Sequence, residues 1–117
     1  MKKLYFLFFL TIGFLSNAQI VNIPDANFKA KLLQSSSSNY IAKNLSGIYF
    51  KIDANNDGQI QNNEAINVRE LYLSSSSINS LTGIGNFTNL IKLNINLNNI
   101  QNLDFEALPN LSWVDCI

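Results

Sequence analysis

Three copies of one short motif decide the fold. Val68-Arg69-Glu70-Leu71-Tyr72-Leu73 returns as Leu90-Ile91-Lys92-Leu93-Asn94-Ile95 and again as Leu111-Ser112-Trp113-Val114-Asp115-Cys116. Leu71 and Leu93 lie 22 residues apart, as do Ile78 and Ile100, and Leu81 and Leu103; Leu93 to Val114 is 21. The end of each motif alternates apolar with other residues, as a half-buried strand requires. Between motifs an apolar residue recurs about every third position: Ile84, Phe87 and Leu90, then Phe105, Leu108 and Leu111. A fixed period of this size predicts a solenoid, in which each unit buries its apolar face against its neighbours. Residues 68–117 supply about two and a half units, so the array is expected to be truncated in mid-repeat.

Asn98 occupies the slot after a strand where a side-chain amide can bond backbone groups of adjacent turns; Ser76 stands at the equivalent place one unit earlier. A hydroxyl can satisfy fewer backbone groups than an amide. With these residues the motif resembles the leucine-rich repeat family, and the segments Leu81-Thr82-Gly83-Ile84 and Phe87-Thr88-Asn89-Leu90 are most similar to its internalin-like bacterial class. The resemblance implies an α/β solenoid: a right-handed array of parallel strands with a small helical N-terminal cap. It also implies that the residues between the inward positions form a concave ligand face. Here those columns are Glu70, Lys92 and Trp113, then Tyr72, Asn94 and Asp115, with Tyr72 and Trp113 as the natural anchors. The plain alternative is that they are ordinary exposed strand residues.

The chain begins as an exported one does. Met1-Lys2-Lys3 is a basic start, Leu4 to Leu15 is nearly all apolar, and Ser16-Asn17-Ala18 offers small residues for cleavage, so residues 1–18 read as a signal peptide. That apolar run is shorter than the roughly 20 residues a membrane-spanning helix needs, so no stable span is expected. Loss of Lys2 and Lys3 leaves eight acidic groups against six basic, an unlikely match for nucleic acid. Cys116 is the single cysteine, which excludes an intrachain disulfide, and it falls in the inward column with Leu73 and Ile95. No histidine exists, removing the commonest general base, and no nucleophile has an evident base. The chain reads as a non-enzyme. Of its sequons, Asn44-Leu45-Ser46, Asn86-Phe87-Thr88 and Asn110-Leu111-Ser112, none needs more than chance in so asparagine-rich a chain.

Residues 19–67 read as the cap. Asp25 is a plausible N-cap for a helix presenting Phe28, Leu32 and Leu33 on one face. Ser35 to Ser38 should end it in a mobile loop, and Ile48 to Ile52 should be extended. A similar capping segment, with Ile23-Pro24-Asp25-Ala26-Asn27-Phe28-Lys29-Ala30 followed by an acidic loop, occurs in secreted leucine-rich repeat proteins. The loop itself is residues 53–64, Asp-Ala-Asn-Asn-Asp-Gly-Gln-Ile-Gln-Asn-Asn-Glu, which fits the twelve-residue EF-hand pattern without a break. Oxygens of Asp53, Asn55 and Asp57 converge because the chain curls, Gly58 supplies the sharp turn, the Gln59 carbonyl adds a ligand, and Glu64 closes the site with two oxygens. Gln61 binds through water in such a loop, and Ile60 faces inward. An all-oxygen set favours calcium. No entering helix or second loop accompanies it, so a dockerin-like single site with a structural Ca2+ is expected; a turn held only by Asx hydrogen bonds is the alternative.

The leading expectation is therefore a secreted or cell-surface interaction module, binding a protein or glycan and stabilised by calcium. The alternative is an incomplete solenoid fragment whose only partner is the remaining repeats of its own full-length chain.

Overall fold

The computed structural model describes residues 19–105 and 107–117. The leader read at residues 1–18 lies outside them. Helix α1 spans Ala26–Leu33 and α2 spans Asn62–Ala65; the strands are β1 (Ala42–Asn44), β2 (Val68–Tyr72), β3 (Lys92–Asn94) and β4 (Trp113–Asp115). They form one sheet in the order β1-β2-β3-β4. β1 runs antiparallel to β2, whereas β2–β3 and β3–β4 are parallel.

The expected solenoid is corrected by this arrangement. The described residues make an open four-stranded mixed sheet with two α-helices, not an array of equivalent turns. Two features break equivalence. The first strand comes from a hairpin, in which Asn44 N–H bonds Ile48 O at 2.9 Å and Phe50 N–H bonds Ala42 O at 3.1 Å, so the sheet begins with an antiparallel pair. The two return segments also differ: one carries a 3₁₀ turn at Ile84–Asn86, and the other has none among the described residues. The motif spacing survives as strand register, with Leu71 opposite Leu93 and Leu93 opposite Val114.

One core lies on the inner side of the sheet. Leu71, Leu73, Leu93 and Ile95 face inward from the strands, and Phe87, Leu90 and Ile84 cover them from the first return segment. Phe28 and Leu32 of α1 are fully buried at the β1 end, with Leu33 packed against the same cluster. Each such side chain contributes about 1.5–3 kcal/mol by leaving water. Asn98 does what its position predicted. Its Nδ2 donates to Leu73 O at 2.7 Å and to Ile95 O at 3.1 Å, and its Oδ1 accepts from the N–H groups of Ser76 and Ile78, both at 3.0 Å.

Asp25 is the N-cap of α1, and it does more than cap. Oδ1 accepts from Asn27 and Phe28 N–H at 3.0 and 2.9 Å, while Oδ2 accepts from Asn79 and Ser80 N–H at 2.8 and 3.0 Å. One carboxylate thus ties the helix start to the loop after β2. Burial opposes its ionisation, but the N–H groups of Phe28, Asn79, Ser80 and Asn27 outweigh it and hold the carboxyl below its ordinary range.

Residues 19–23 act as a strap. Asn62 N–H bonds Gln19 O at 2.9 Å, Val21 N–H bonds Ile60 O at 2.8 Å, and Ile20 forms an antiparallel bridge with Gln61. Farther along, the strap presses on Gly83, whose φ is +104°; a Cβ there would sit 2.6 Å from Asn22 O. Glycine is required at that point both by the left-handed backbone and by the close approach.

Two local expectations are also corrected. Ser35 is buried rather than part of a mobile loop, because its Oγ donates to Leu32 O at 2.7 Å and accepts from Ile52 N–H at 3.0 Å. Within the segment expected to be extended, Ile48 to Phe50 form the return arm of the β1 hairpin, with Tyr49 bridged to Lys43. Cys116 is exposed instead of inward, since it follows the edge strand β4 and nothing among the described residues packs over it.

Candidate metal loop and sheet face

The loop 53–64 closes on itself as its spacing requires. Asp53 sits at its entrance, and its two oxygens accept from Gly58 N–H at 3.0 Å and Asp57 N–H at 3.3 Å. Gly58 has φ +79°, which sets the turn that brings those N–H groups round. Glu64 returns from α2, where Oε1 accepts from Gln61 N–H at 3.0 Å and Oε2 from Asn55 N–H at 3.4 Å. Ile60 is fully buried and pins the loop to the core.

The predicted ligands are not all presented alike. Asp53 and Glu64 are buried, at 3% and 6% exposure, whereas Asn55 and Asp57 lie at the surface. The carboxylate of Asp57 accepts from Gln59 N–H at 3.0 Å and from Gln61 Nε2 at 2.6 Å. Its carboxyl is held below the ordinary range, first by the Gln59 N–H. The Gln59 side chain turns away to Lys29, whose Nζ donates to Oε1 at 2.7 Å, tying α1 to the loop and leaving the main-chain carbonyl as the atom the motif would use. No group of three or more His, Cys, Asp and Glu side chains that could hold a metal occurs among the described residues. Any ion here must draw also on amide and main-chain oxygens.

Two observations test the fit of a hard cation. Neither Asp53 nor Glu64 is paired with a cationic side chain among the described residues, and buried carboxylates are costly without a positive partner. In addition, Gln61 is buried at 5% exposure and its Oε1 has no hydrogen-bond partner. Gln61 occupies the loop position that binds through water, and its amide already points at Asp57. An orphaned acceptor beside two unpaired buried carboxylates is a donor set that suits calcium. The signal for Gln61 was in the motif; its unsatisfied oxygen was not.

The second candidate region is the outward face of the sheet. The register sets Glu70 opposite Lys92 and Lys92 opposite Trp113, and in the next row Tyr72 opposite Asn94 and Asn94 opposite Asp115. All five predicted face residues, Tyr72, Lys92, Asn94, Trp113 and Asp115, are therefore neighbours. Lys92 Nζ lies 4.9 Å from the centre of the Trp113 ring, a cation–π contact. Tyr72 donates its hydroxyl to Glu70. Burial, with the hydrogen bond to Glu70 and the Glu70 charge, holds the Tyr72 phenol far above its usual range.

Sequence reasoning missed what β1 adds. Lys43 pairs with Glu70 across the antiparallel junction, Nζ to Oε1 at 3.8 Å, and stands 5.0 Å from the Tyr49 ring centre. Tyr49 in turn meets Tyr40 edge-on at 5.2 Å and Tyr72 at 6.3 Å. No local pattern marked these residues, because their place depends on an antiparallel hairpin joining a sheet otherwise built from parallel repeats.

No protein-family model matches the chain, and no curated protein matches it. Among the described residues no helix is long and apolar enough to cross a membrane.

Proposed function

We propose that the chain is an exported or cell-surface interaction module, placed beside secreted leucine-rich repeat proteins by sequence resemblance alone. Its outward sheet face takes a protein or glycan, and its 53–64 loop holds a structural calcium ion. The role is binding, not catalysis. Asp53, Asn55, Asp57, the Gln59 carbonyl and Glu64 would hold the ion, with Gln61 Oε1 reaching it through water. The ion would neutralise the loop carboxylates and fasten the cap to β2, because Glu64 lies only a few residues before Val68.

The observation that carries the calcium assignment is the pair of buried, unpaired carboxylates beside the orphaned Gln61 oxygen. Extracellular calcium loops bind at roughly 0.1–1 mM. At calcium ten-fold above Kd the folded state gains about 1.4 kcal/mol, and at a hundred-fold about 2.7 kcal/mol. For a domain of this size that is a rise in Tm of roughly 6–20 °C. The test is thermal melting of chelator-treated protein with added calcium or magnesium, and the same melt for Glu64→Gln. Calcium should raise Tm, magnesium should do so less, and Glu64→Gln should lose the response. An unchanged Tm together with no heat of binding at 10-fold-millimolar calcium (on the order of 10 mM, above the affinity range) removes the ion from the proposal.

A further inference from the structure

Loop 53–64 has no second loop of its kind to pair with, yet its exit is paired. Val21 N–H bonds Ile60 O at 2.8 Å, and Asn62 N–H bonds Gln19 O at 2.9 Å. Between those two bonds Ile20 stands opposite Gln61, antiparallel. A pair flanked by hydrogen bonds rather than joined by them brings its two side chains closest. Gln61 is itself extended, with φ −89° and ψ 161°, as such pairing requires. The Gln59 carbonyl is one peptide unit from the bond to Val21, and Glu64 Oε1 accepts from Gln61 N–H at 3.0 Å between the two strap bonds. We infer that residues 19–21 are the second half of the calcium site. Their main chain fixes the ligand segment 59–64, so strap docking and calcium binding favour each other. The inference rests on the calcium reading of the loop.

The strap is anchored on its own account. Val21 and Ile23 are buried, whereas Ile20 between them is exposed, the alternation of a strand with one face in the core. With the strap in place, Ile60 and Asn62 are held from outside the loop, and Gln61 stays buried with its Oε1 free for a water or an ion. With the strap lifted, Ile60 O and Asn62 N–H return to water and Gln61 loses the residue standing opposite it. A loop that has to be ordered as it binds holds its ion more weakly than one already fixed. The effect must run both ways. Coupling between two equilibria is reciprocal, so the factor by which docking raises calcium affinity is the factor by which calcium favours docking.

The test reads that factor twice. Amide hydrogen exchange of the parent protein, calcium-free and at calcium on the order of 10 mM, follows the N–H groups of Val21 and Asn62. Val21 lies outside the loop and gives the ion no oxygen, so its exchange reports the strap. Calcium should slow both amides at least five-fold, the lower end of the range of about 5–150-fold for coupled sites. That slowing should exceed any change at the Ile95 N–H, which bonds Asp115 O between β3 and β4. Val21→Pro removes the donor to Ile60 O and should weaken calcium binding in calorimetric titration by the same factor. Asn98→Ala, which loosens the fold away from the loop, should leave the affinity unchanged. Equal affinity of the parent and Val21→Pro, or unchanged exchange at Val21 and Asn62, overturns the coupling and leaves the calcium site standing. An affinity lowered as much by Asn98→Ala as by Val21→Pro overturns it too, since the effect is then a general loss of stability. If Val21→Pro does not fold, the exchange comparison on the parent decides alone. No heat of calcium binding to the parent removes the site and the inference together.

Discussion

Replacing Asp25 with alanine removes four hydrogen bonds at once, and the loss can be worked from where they go. Two cap α1, and losing an N-cap costs about 1 kcal/mol, with a range of roughly 0.5–2. The other two hold Asn79 and Ser80 N–H, and bonds to a charged acceptor are worth about 1.5–3 kcal/mol each when well buried. Asp25 is half-exposed, so solvent competes and the lower end applies. The total is about 4 kcal/mol, or a fall in Tm of roughly 16–32 °C for a domain near 100 residues. Asparagine at this site keeps one oxygen and turns an amide N–H2 towards the remaining donors; it should cost about half as much. The sign of the pH dependence follows from the depressed carboxyl. A carboxylate favoured by the fold contributes stability above its unfolded value of about 3.9, and that contribution is lost as pH falls through the folded value. Urea melts of the parent and Asp25→Ala at fixed calcium, at pH 7 and near pH 3, measure both. The difference between them should be full at pH 7 and smaller near pH 3, where the loss has begun. A gap below about 1 kcal/mol at pH 7, or one of equal size at both pH values, would refute the account of Asp25 as a charged staple.

Three further variants test the packing of the same fold. Gly83→Ala meets Asn22 O at 2.6 Å and Ile23 Cγ1 at 3.0 Å with φ at +104°, so left-handed strain and overpacking add to about 3 kcal/mol. Gly58→Ala has a similar φ of +79° but open space around its Cβ, and should cost only about 1 kcal/mol; comparable losses in a denaturant series would contradict the close-approach reading of Gly83. Asn98→Ala leaves Leu73 O and the N–H groups of Ser76 and Ile78 without their side-chain partner, at a cost of about 2–4 kcal/mol, and a variant that melts with the parent would show the amide to be dispensable.

The parts legible in the sequence were those fixed by spacing. The 22-residue step placed Leu71 beside Leu93, and that step followed by one of 21 brought Tyr72, Asn94 and Asp115 into one row. Asn98 and Asp25 were readable because each does a job its own neighbourhood demands. The EF-hand pattern gave the closure of Asp53 around Gly58, since both lie within one turn of chain. What escaped depends on distant pairing. Lys43 has no local reason to sit opposite Glu70, and nothing in the serine run marks Ser35 as the residue that bonds Ile52. Periodicity predicted an array of equivalent units, but equivalence is a property of the return segments and the first pairing, which vary here. Cys116 shows the same limit. Its column is correct by spacing, and its exposure follows from standing beside a sheet edge.

The strap at residues 19–23 has a consequence for the order of events in folding. Its partners are residues 60–62 and Gly83, and Asp25 just beyond it is held by Asn79 and Ser80. These contacts close long loops among the described residues, and long closures are slow to form. If the chain leaves the cell N-terminus first, as proposed, Gln19 to Ile23 emerge well before anything they bind. The segment must wait, extended and reachable, until residue 83 has followed. Once residue 83 has followed, the strap can close against Ile60 and Gly83, so the first described segment would be among the last to find its partners.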